Sequence, residues 1–253
     1  MRGLEVNILA TGSYGNCITL KSGDSCILID AGIAKTKIEK RLFDVGIRPD
    51  EIETILITHA HGDHIKGVSL ANKYRIPVYA GAGEWKTIPG VDEGLRRTIK
   101  AGETAGIGFT FGVTAFDTHH DAMQPLGYVI EDIINDTKCA VCLDTGRVDD
   151  YMLHAMQGCD IYIIEANHEP KMVETSDYPL SVQTRILSDI GHLSNQQTAD
   201  ALNRLIQGRG EQIYLTHLSH KNNLPTLAQL TVENVLRKQG FKVEKHYQLE
   251  VIS

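Results

Sequence analysis

Four side chains able to ligate a metal stand within six residues, at His59, His61, Asp63 and His64. They follow the apolar run Ile55-Leu56-Ile57, which reads as a strand that ends and releases its last side chains into a pocket. In an extended segment His59 and His61 alternate and point the same way. Gly62 permits a turn, and Asp63 and His64 begin a helix that runs through Val68. A carboxylate at a helix start is favoured by the dipole. One cation can take His59 and His61 while a second takes Asp63 and His64, because imidazole and carboxylate are the usual donors to such ions. The bland alternative is a His-rich surface loop, which would crowd neutral imidazoles into one turn without reward.

Further ligand types stand just after other strand-like runs: His120 after Phe109–Phe116, Asp144 after Ala140-Val-Cys-Leu143, and His217 after Ile213-Tyr-Leu-Thr216. A lone His in such a place is usually solvated. As additions to an anchored motif these three complete a set of donors sufficient for two ions sharing the Asp144 carboxylate. Two cations about 3.5–4 Å apart steady both oxygens of an in-line displacement and bring bound water to a pKa near 7. The loop Thr11-Gly-Ser-Tyr-Gly-Asn16 reads equally well as a hairpin turn or as a loop whose Ser13 and Asn16 approach a bound anion.

The elements that would position these residues follow from periodicity. Glu5–Ala10, Cys26–Asp30 and Glu53–Thr58 read as strands. Thr36-Lys-Ile-Glu39 reads as a capping box opening a helix that Gly46 ends. Residues 86–108 have weak patterning and read as short strands and loops. Strands are expected at Phe109–Phe116, Leu126–Ile130 and Lys138–Leu143. Strand and helix then alternate: a helix over Asp149–Gln157, a buried strand over Asp160–Ile164, and a helix from Pro179 to Ile190. Ser194-Asn-Gln-Gln197 caps a helix to Gln207, a strand spans Gln212–Thr216, and Pro225 starts a helix closed by Gly240. A last strand is expected over Phe241–Ile252. One α/β (α+β) sandwich of two mixed sheets with helices outside, a single domain over 1–253, fits this order. Loops at strand ends, held by a rigid sheet, are where chemistry is usually found.

The 253 residues are 42% hydrophobic, enough for a sizeable core. Met1-Arg2-Gly3-Leu4-Glu5 shows no apolar signal region and no run is long enough to span a bilayer, so a cytoplasmic protein without a membrane partner is expected. The five cysteines have no framework spacing and read as reduced core thiols. Cys139 and Cys142 fall within one alternating strand and face opposite sides. The net charge of −7 argues against a broad basic surface, although local basic patches survive in an acidic total.

The wording His-Ala-His-Gly-Asp-His resembles the H-x-H-x-D-H signature of the metallo-β-lactamase superfamily, as do Leu28-Ile-Asp30-Ala-Gly32, Asp144-Thr-Gly146 and Thr216-His217-Leu-Ser219. The resemblance implies an αββα sandwich with its site at one edge between the sheets. It implies a dinuclear centre of Zn2+ or Mn2+ on His59, His61, Asp63, His64, His120, Asp144 and His217. His-Asp-Ala-x-x-Pro is the family wording that selects His120 over His119. Flavodiiron oxygen reductases carry an acid where this chain has His61, so the similarity is to the hydrolases. Glu165-Ala-Asn-His168, Tyr178-Pro179, Arg185-Ile-Leu-Ser-Asp189, Gly191-His192-Leu-Ser-Asn195 and Gly12-Ser-Tyr-Gly-Asn16 resemble the bacterial WalJ (YycJ) subfamily nearly end to end.

That subfamily resemblance implies a 5′-to-3′ DNA exonuclease linked to mismatch repair. Glu165 and His192 also resemble the acid–histidine pair of transfer RNA 3′-processing endonucleases. There the histidine donates a proton to the leaving oxygen and the carboxylate holds the histidine. Asp63, Glu165 and His192 are therefore the expected catalytic residues. Ser13, Asn16 and Arg185 are expected to contact substrate, with Lys35, Lys37 and Lys221 steering a backbone. The interval from Asp144 to His217 leaves no room for the inserted domain of RNase J type nucleases. A hydrolase of a small cyclic phosphodiester, lactone or thioester is the alternative that the acidic total favours. A metal-stabilised module without turnover would be expected to close its coordination with Cys.

Overall fold

A computed structural model describes residues 3–253; Met1 and Arg2, where the reading of the N-terminus begins, lie outside the described residues. The chain divides into two compact units. The first holds the chain up to Phe116 together with Ala122–Thr137, and the second holds Asp117–Asp121 and Lys138–Ser253. The described strands belong to a six-stranded and a seven-stranded sheet. Among the described residues no helix is long and apolar enough to cross a membrane.

The first unit begins with β1 (Glu5–Ala10), β2 (Cys17–Ser22) and β3 (Ser25–Ile29), paired antiparallel in that order. Helix α1 (Lys35–Asp44) leads to β4 (Ile52–Leu56), which lies parallel to β3. Helices α2 (Gly62–Ile65) and α3 (Leu70–Tyr74) follow, then β5 (Val78–Ala80) and β6 (Arg96–Thr98), each parallel to its predecessor in the sheet. The six-stranded sheet is therefore mixed. Ile38 and Leu42, one turn apart on α1, are fully buried against Leu28, Ile55 and Val78 of this unit's core. Burying such side chains contributes about 1.5–3 kcal/mol each. Strands β7 (Thr104–Ile107), β8 (Phe111–Asp117) and β9 (Leu126–Asp132) complete this part of the chain.

In the second unit β10 (Thr137–Cys142) is followed by α4 (Asp150–Met156), β11 (Ile161–Glu165), α5 (Pro170–Glu174) and α6 (Leu180–Ile186). Then come α7 (Asn195–Leu205), β12 (Glu211–Thr216), α8 (Pro225–Lys238) and β13 (Tyr247–Val251). Strands β10, β11, β12 and β13 are parallel neighbours, with Cys139 opposite Ile161 and Ile213 opposite Leu249. Every residue of β11 is buried, as expected of a parallel strand covered on both faces. Its last residue, Glu165, is thereby placed in the interior. The five cysteines are buried free thiols. Burial pushes the Cys26 and Cys159 thiols up to about 12, so they are protonated packing groups.

Several local expectations are corrected. The capping box at Thr36 does not form: α1 starts at Lys35 with Ala34 as its N-cap and no side-chain cap. Glu39 instead accepts hydrogen bonds from Lys73 Nζ at 2.6 Å and the Tyr74 hydroxyl at 2.9 Å. The helix after Asp63 is interrupted after Ile65, because the Gly67 amide turns to donate to Ala31 O at 2.7 Å. Helix α6 ends at Ile186 rather than Ile190, where the His192 amide folds back onto Ile186 O. The last strand begins at Tyr247, since the Lys242 amide donates to His246 Nδ1 and residues 241–246 close on themselves. Strand β8 begins at Phe111, and Phe109 is fully exposed. The capping box at Ser194 is present in full.

Candidate active site

In the first unit the signature loop is built on a buried carboxylate. Asp30 stands just past β3 in the left-handed region, at φ 57°. Its Oδ1 accepts from the Thr58 amide at 2.8 Å, and its Oδ2 lies 2.7 Å from His64 Nδ1. A carboxylate only accepts, so Nδ1 carries the proton and His64 Nε2 is left with its lone pair. The Thr58 hydroxyl reaches Asp30 Oδ2 at 2.9 Å and lies 3.2 Å from His59 Nδ1. Burial pushes the Asp30 carboxyl above the usual range, with His64 and Thr58 opposing the rise.

Gly32 completes the support. A Cβ there would stand 1.7 Å from the Asp63 carbonyl oxygen, so only glycine lets these backbones meet. The Asn16 amide donates to that same oxygen at 2.7 Å, and the Gly32 amide donates to Asn16 O.

The four motif residues lie together in this unit. His59 and His64 have ring centroids 4.0 Å apart, His59 and His61 4.5 Å, and Asp63 Oδ2 is 3.7 Å from His64 Nε2. Strand β4 ends at Leu56, so His59 and His61 hang from a bend rather than an extended run. Glu84, which the sequence did not single out, holds that bend. Its buried carboxylate accepts from the Ala60 amide at 2.7 Å and from the Gln124 amide at 2.5 Å. Tyr128 adds a hydrogen bond to Ile57 O at 2.6 Å.

The second unit carries its own cluster. Asp144, Glu165, His192 and His217 each offer one ligand atom, all within 4.8 Å of one another. Asp144 and His217 both have positive φ, 46° and 55°, at the first turn beyond their strands. Such conformations are uncommon outside glycine and persist only where surrounding structure holds them. His217 Nδ1 is 2.6 Å from Asp144 Oδ1 and 3.4 Å from Glu165 Oε2. His192 Nδ1 is 3.1 Å from Glu165 Oε2.

Glu165 is fully buried, and its Oε1 accepts from the Thr145 amide at 2.6 Å and the Leu193 amide at 3.3 Å. Burial alone would push this carboxyl up, but the His192 charge and hydrogen bond, with His217, bring it below the usual range. Gly146 lets this wall close, because a Cβ there would stand 2.3 Å from the Asp189 carbonyl carbon.

The choice between the paired histidines is physical. His119 Nε2 lies 2.7 Å from Asp149 Oδ2, and Asp149 is the N-cap of α4. His120 Nδ1 instead donates to Gly191 O at 2.9 Å, and its Nε2 is 3.8 Å from Asp144 Oδ2. Burial lowers the His120 pKa, which keeps the ring neutral and able to donate a lone pair. His168 is buried beside this cluster and pushed down to about 4 by burial, whereas His220 is exposed.

The residues expected on substrate fare differently. Ser13 is exposed, while Asn16 is buried, with Oδ1 accepting from the Gly12 amide and Nδ2 lying 3.1 Å from His64 Nε2. Arg185 is paired with Asp121 at 2.8 Å, and the Lys221 ammonium lies over the Tyr178 ring.

The donors suit metal binding: imidazole nitrogens and carboxylates, with no cysteine among them. His64 and His120 have one ring nitrogen fixed by a carboxylate or carbonyl, which orients the other as metal-ligating histidines are oriented.

A sequence profile described as a beta-lactamase superfamily domain matches residues 26–218. The chain belongs to that superfamily. Two relatives match nearly end to end. One is Exodeoxyribonuclease YycJ of Bacillus anthracis, 35% identical over 251 residues, covering 98% of this chain and 94% of that protein. The other is Exodeoxyribonuclease WalJ of Streptococcus pneumoniae, 38% identical over 249 residues, covering 95% and 91%. Among solved structures, the metallo-beta-lactamase fold protein YhfI from Bacillus subtilis aligns with TM-score 0.74 at 16% identity, over 100% of this chain and 98% of that one. The fold is accordingly that of the superfamily, two mixed sheets flanked by helices.

Proposed function

We propose that this chain is a metal-dependent exodeoxyribonuclease that degrades DNA from 5′ ends. The observation that carries the reading is the near-full-length match to two relatives named exodeoxyribonucleases. In this reading the whole chain acts as one catalytic domain. His59, His61, Asp63, His64, His120, Asp144 and His217 would hold two divalent ions, Zn2+ or Mn2+. Such a pair would supply a nucleophile at neutral pH and offset charge on the phosphate.

The chain's own residues do the rest. Asp30 and Glu84 hold the signature loop in shape through Thr58, His64 and the Ala60 amide. Glu165 accepts from His192 Nδ1 and stabilises the positive charge on that ring. His192 Nε2 is then the group that gives a proton to the departing 3′ oxygen of the terminal nucleotide. An alkoxide is a poor leaving group, and a positioned acid contributes typically 10²–10⁴-fold. Ser13 and Arg185 contact the phosphate backbone; Arg185 must exchange Asp121 for it. A cytoplasmic role in DNA repair accords with this activity.

The test is duplex DNA labelled at either end, incubated with Mn2+ or Zn2+, beside a panel of lactones, thioesters and cyclic phosphodiesters. Release of mononucleotides beginning at 5′ ends, stopped by a chelator, is the expected outcome. Turnover of a small ester with intact DNA would overturn the reading.

A further inference from the structure

A cavity of about 680 Å³ opens in the first unit, with Ser13, Tyr14, Asp63, Lys66, Val68 and Pro89 among its lining residues. That volume is within the usual range for small-molecule sites, about 300–1,000 Å³. Three features define what it suits. Its lining includes the largely buried side chains of Ile65 and Val68. Tyr14 is 79% exposed, which leaves an aromatic side chain accessible at the cavity. The exposed residues Ser13 and Lys66 add polar groups to the lining. One wall is Asp63 of the signature loop.

Resting on the nuclease reading, we propose that this cavity is the subsite for a nucleobase flanking the scissile phosphate. Tyr14 supplies the stacking face, and Val68 and Pro89 form an apolar slot. Lys66 and Ser13 meet the adjoining phosphate. Asp63 belongs both to the signature loop and to the cavity lining, so in this proposal a strand whose phosphate lies at that loop puts its neighbouring base in the cavity. Stacking tolerates every base, because each has a π-face, so the subsite favours nucleic acid over other phosphodiesters without reading sequence. The acidic total is no obstacle, since affinity here comes from a ring and one local lysine.

The test uses Tyr14→Ala, Tyr14→Phe and Ser69→Trp, the last placing an indole at the cavity wall. Substrates are duplex DNA, the same DNA with an abasic residue on either side of the scissile phosphate, and bis(p-nitrophenyl) phosphate. Base–aromatic stacking of about 1.4 kcal/mol corresponds to roughly tenfold in KM. Tyr14→Ala and Ser69→Trp should therefore raise KM for DNA about tenfold, and Tyr14→Phe should not. All three should leave bis(p-nitrophenyl) phosphate turnover unchanged. The wild type should lose about tenfold on one of the abasic substrates, and Tyr14→Ala should lose nothing further.

A second readout needs no turnover. 2-Aminopurine at that nucleotide should be quenched on binding in the presence of chelator, and Tyr14→Ala should abolish the quenching. Equal KM values for DNA in wild type, Tyr14→Ala and Ser69→Trp would overturn the subsite while leaving the nuclease reading intact. Absence of DNA cleavage by the wild type would remove both.

Discussion

At the scale of single residues, the acid–histidine pair is where chemistry and burial meet. Glu165 is fully buried yet held below the usual carboxylate range by His192 and His217. It is thus a buried anion held against the His192 ring, with Oε2 3.1 Å from Nδ1. His192 is the more exposed of the two imidazoles, its side chain being 13% accessible against 2% for His217. A proton donor to substrate must reach it, whereas a metal ligand need not. His192→Ala is expected to retain its metal, measured by elemental analysis, and to lose roughly 10²–10⁴-fold in rate on DNA. On an activated nitrophenyl ester, whose leaving group needs no proton, the loss should be small. Equal losses on both substrates would remove the acid role.

At the scale of elements, the second unit is clamped around Glu165 by the start of α7. Ser194 accepts from the Gln197 amide, and Gln197 returns a side-chain acceptor to the Ser194 amide at 2.9 Å. The Gln197 Nε2 also donates to Gly146 O at 3.0 Å. Thr198 Oγ1 donates to Glu165 O at 2.7 Å, so the first turn of the helix holds the backbone of Glu165. Losing a cap of this kind costs about 0.5–2 kcal/mol. Ser194→Ala should lower unfolding stability by about 1 kcal/mol in urea titrations with an unchanged slope. An unchanged midpoint would show that this box is idle. The other expected box, at Thr36, illustrates the opposite case. There the helix start moved to Lys35, and Glu39 was drawn to Lys73 and Tyr74 from α3.

At the scale of the whole molecule, the two proposed ions bear on stability. Any ligand that binds the folded chain alone stabilises it, by about 2.7 kcal/mol at a hundred times Kd. For a chain of this size that is roughly 5–10 °C in Tm. Scanning calorimetry should show such a rise when Zn2+ or Mn2+ is added to chelator-stripped protein, with two ions bound per chain. Asp144→Ala should bind fewer ions and show a smaller rise. Indifference of Tm to both metal and chelator would end the two-ion proposal.

What the chain order alone determined is what depends on local spacing. The run His59–His64, the donors just past Phe116, Leu143 and Thr216, and the alternation of strand and helix after Asp144 are all short-range patterns. Their wording resembles the superfamily, a resemblance that implies the αββα sandwich, and the sequence profile and the likeness to YhfI agree. Only the tertiary structure decided which side chains serve the site without belonging to a motif. Glu84 reaches the Ala60 amide from a weakly patterned stretch, and Asn16 turns inward to His64. The family wording selects His120 over His119, but not their partners, Gly191 O and Asp149. Nor did any propensity place Asp30, Asp144 and His217 in the left-handed region. Each of these depends on partners brought together by the fold from far along the chain, and a linear pattern encodes separation in residues, not in space.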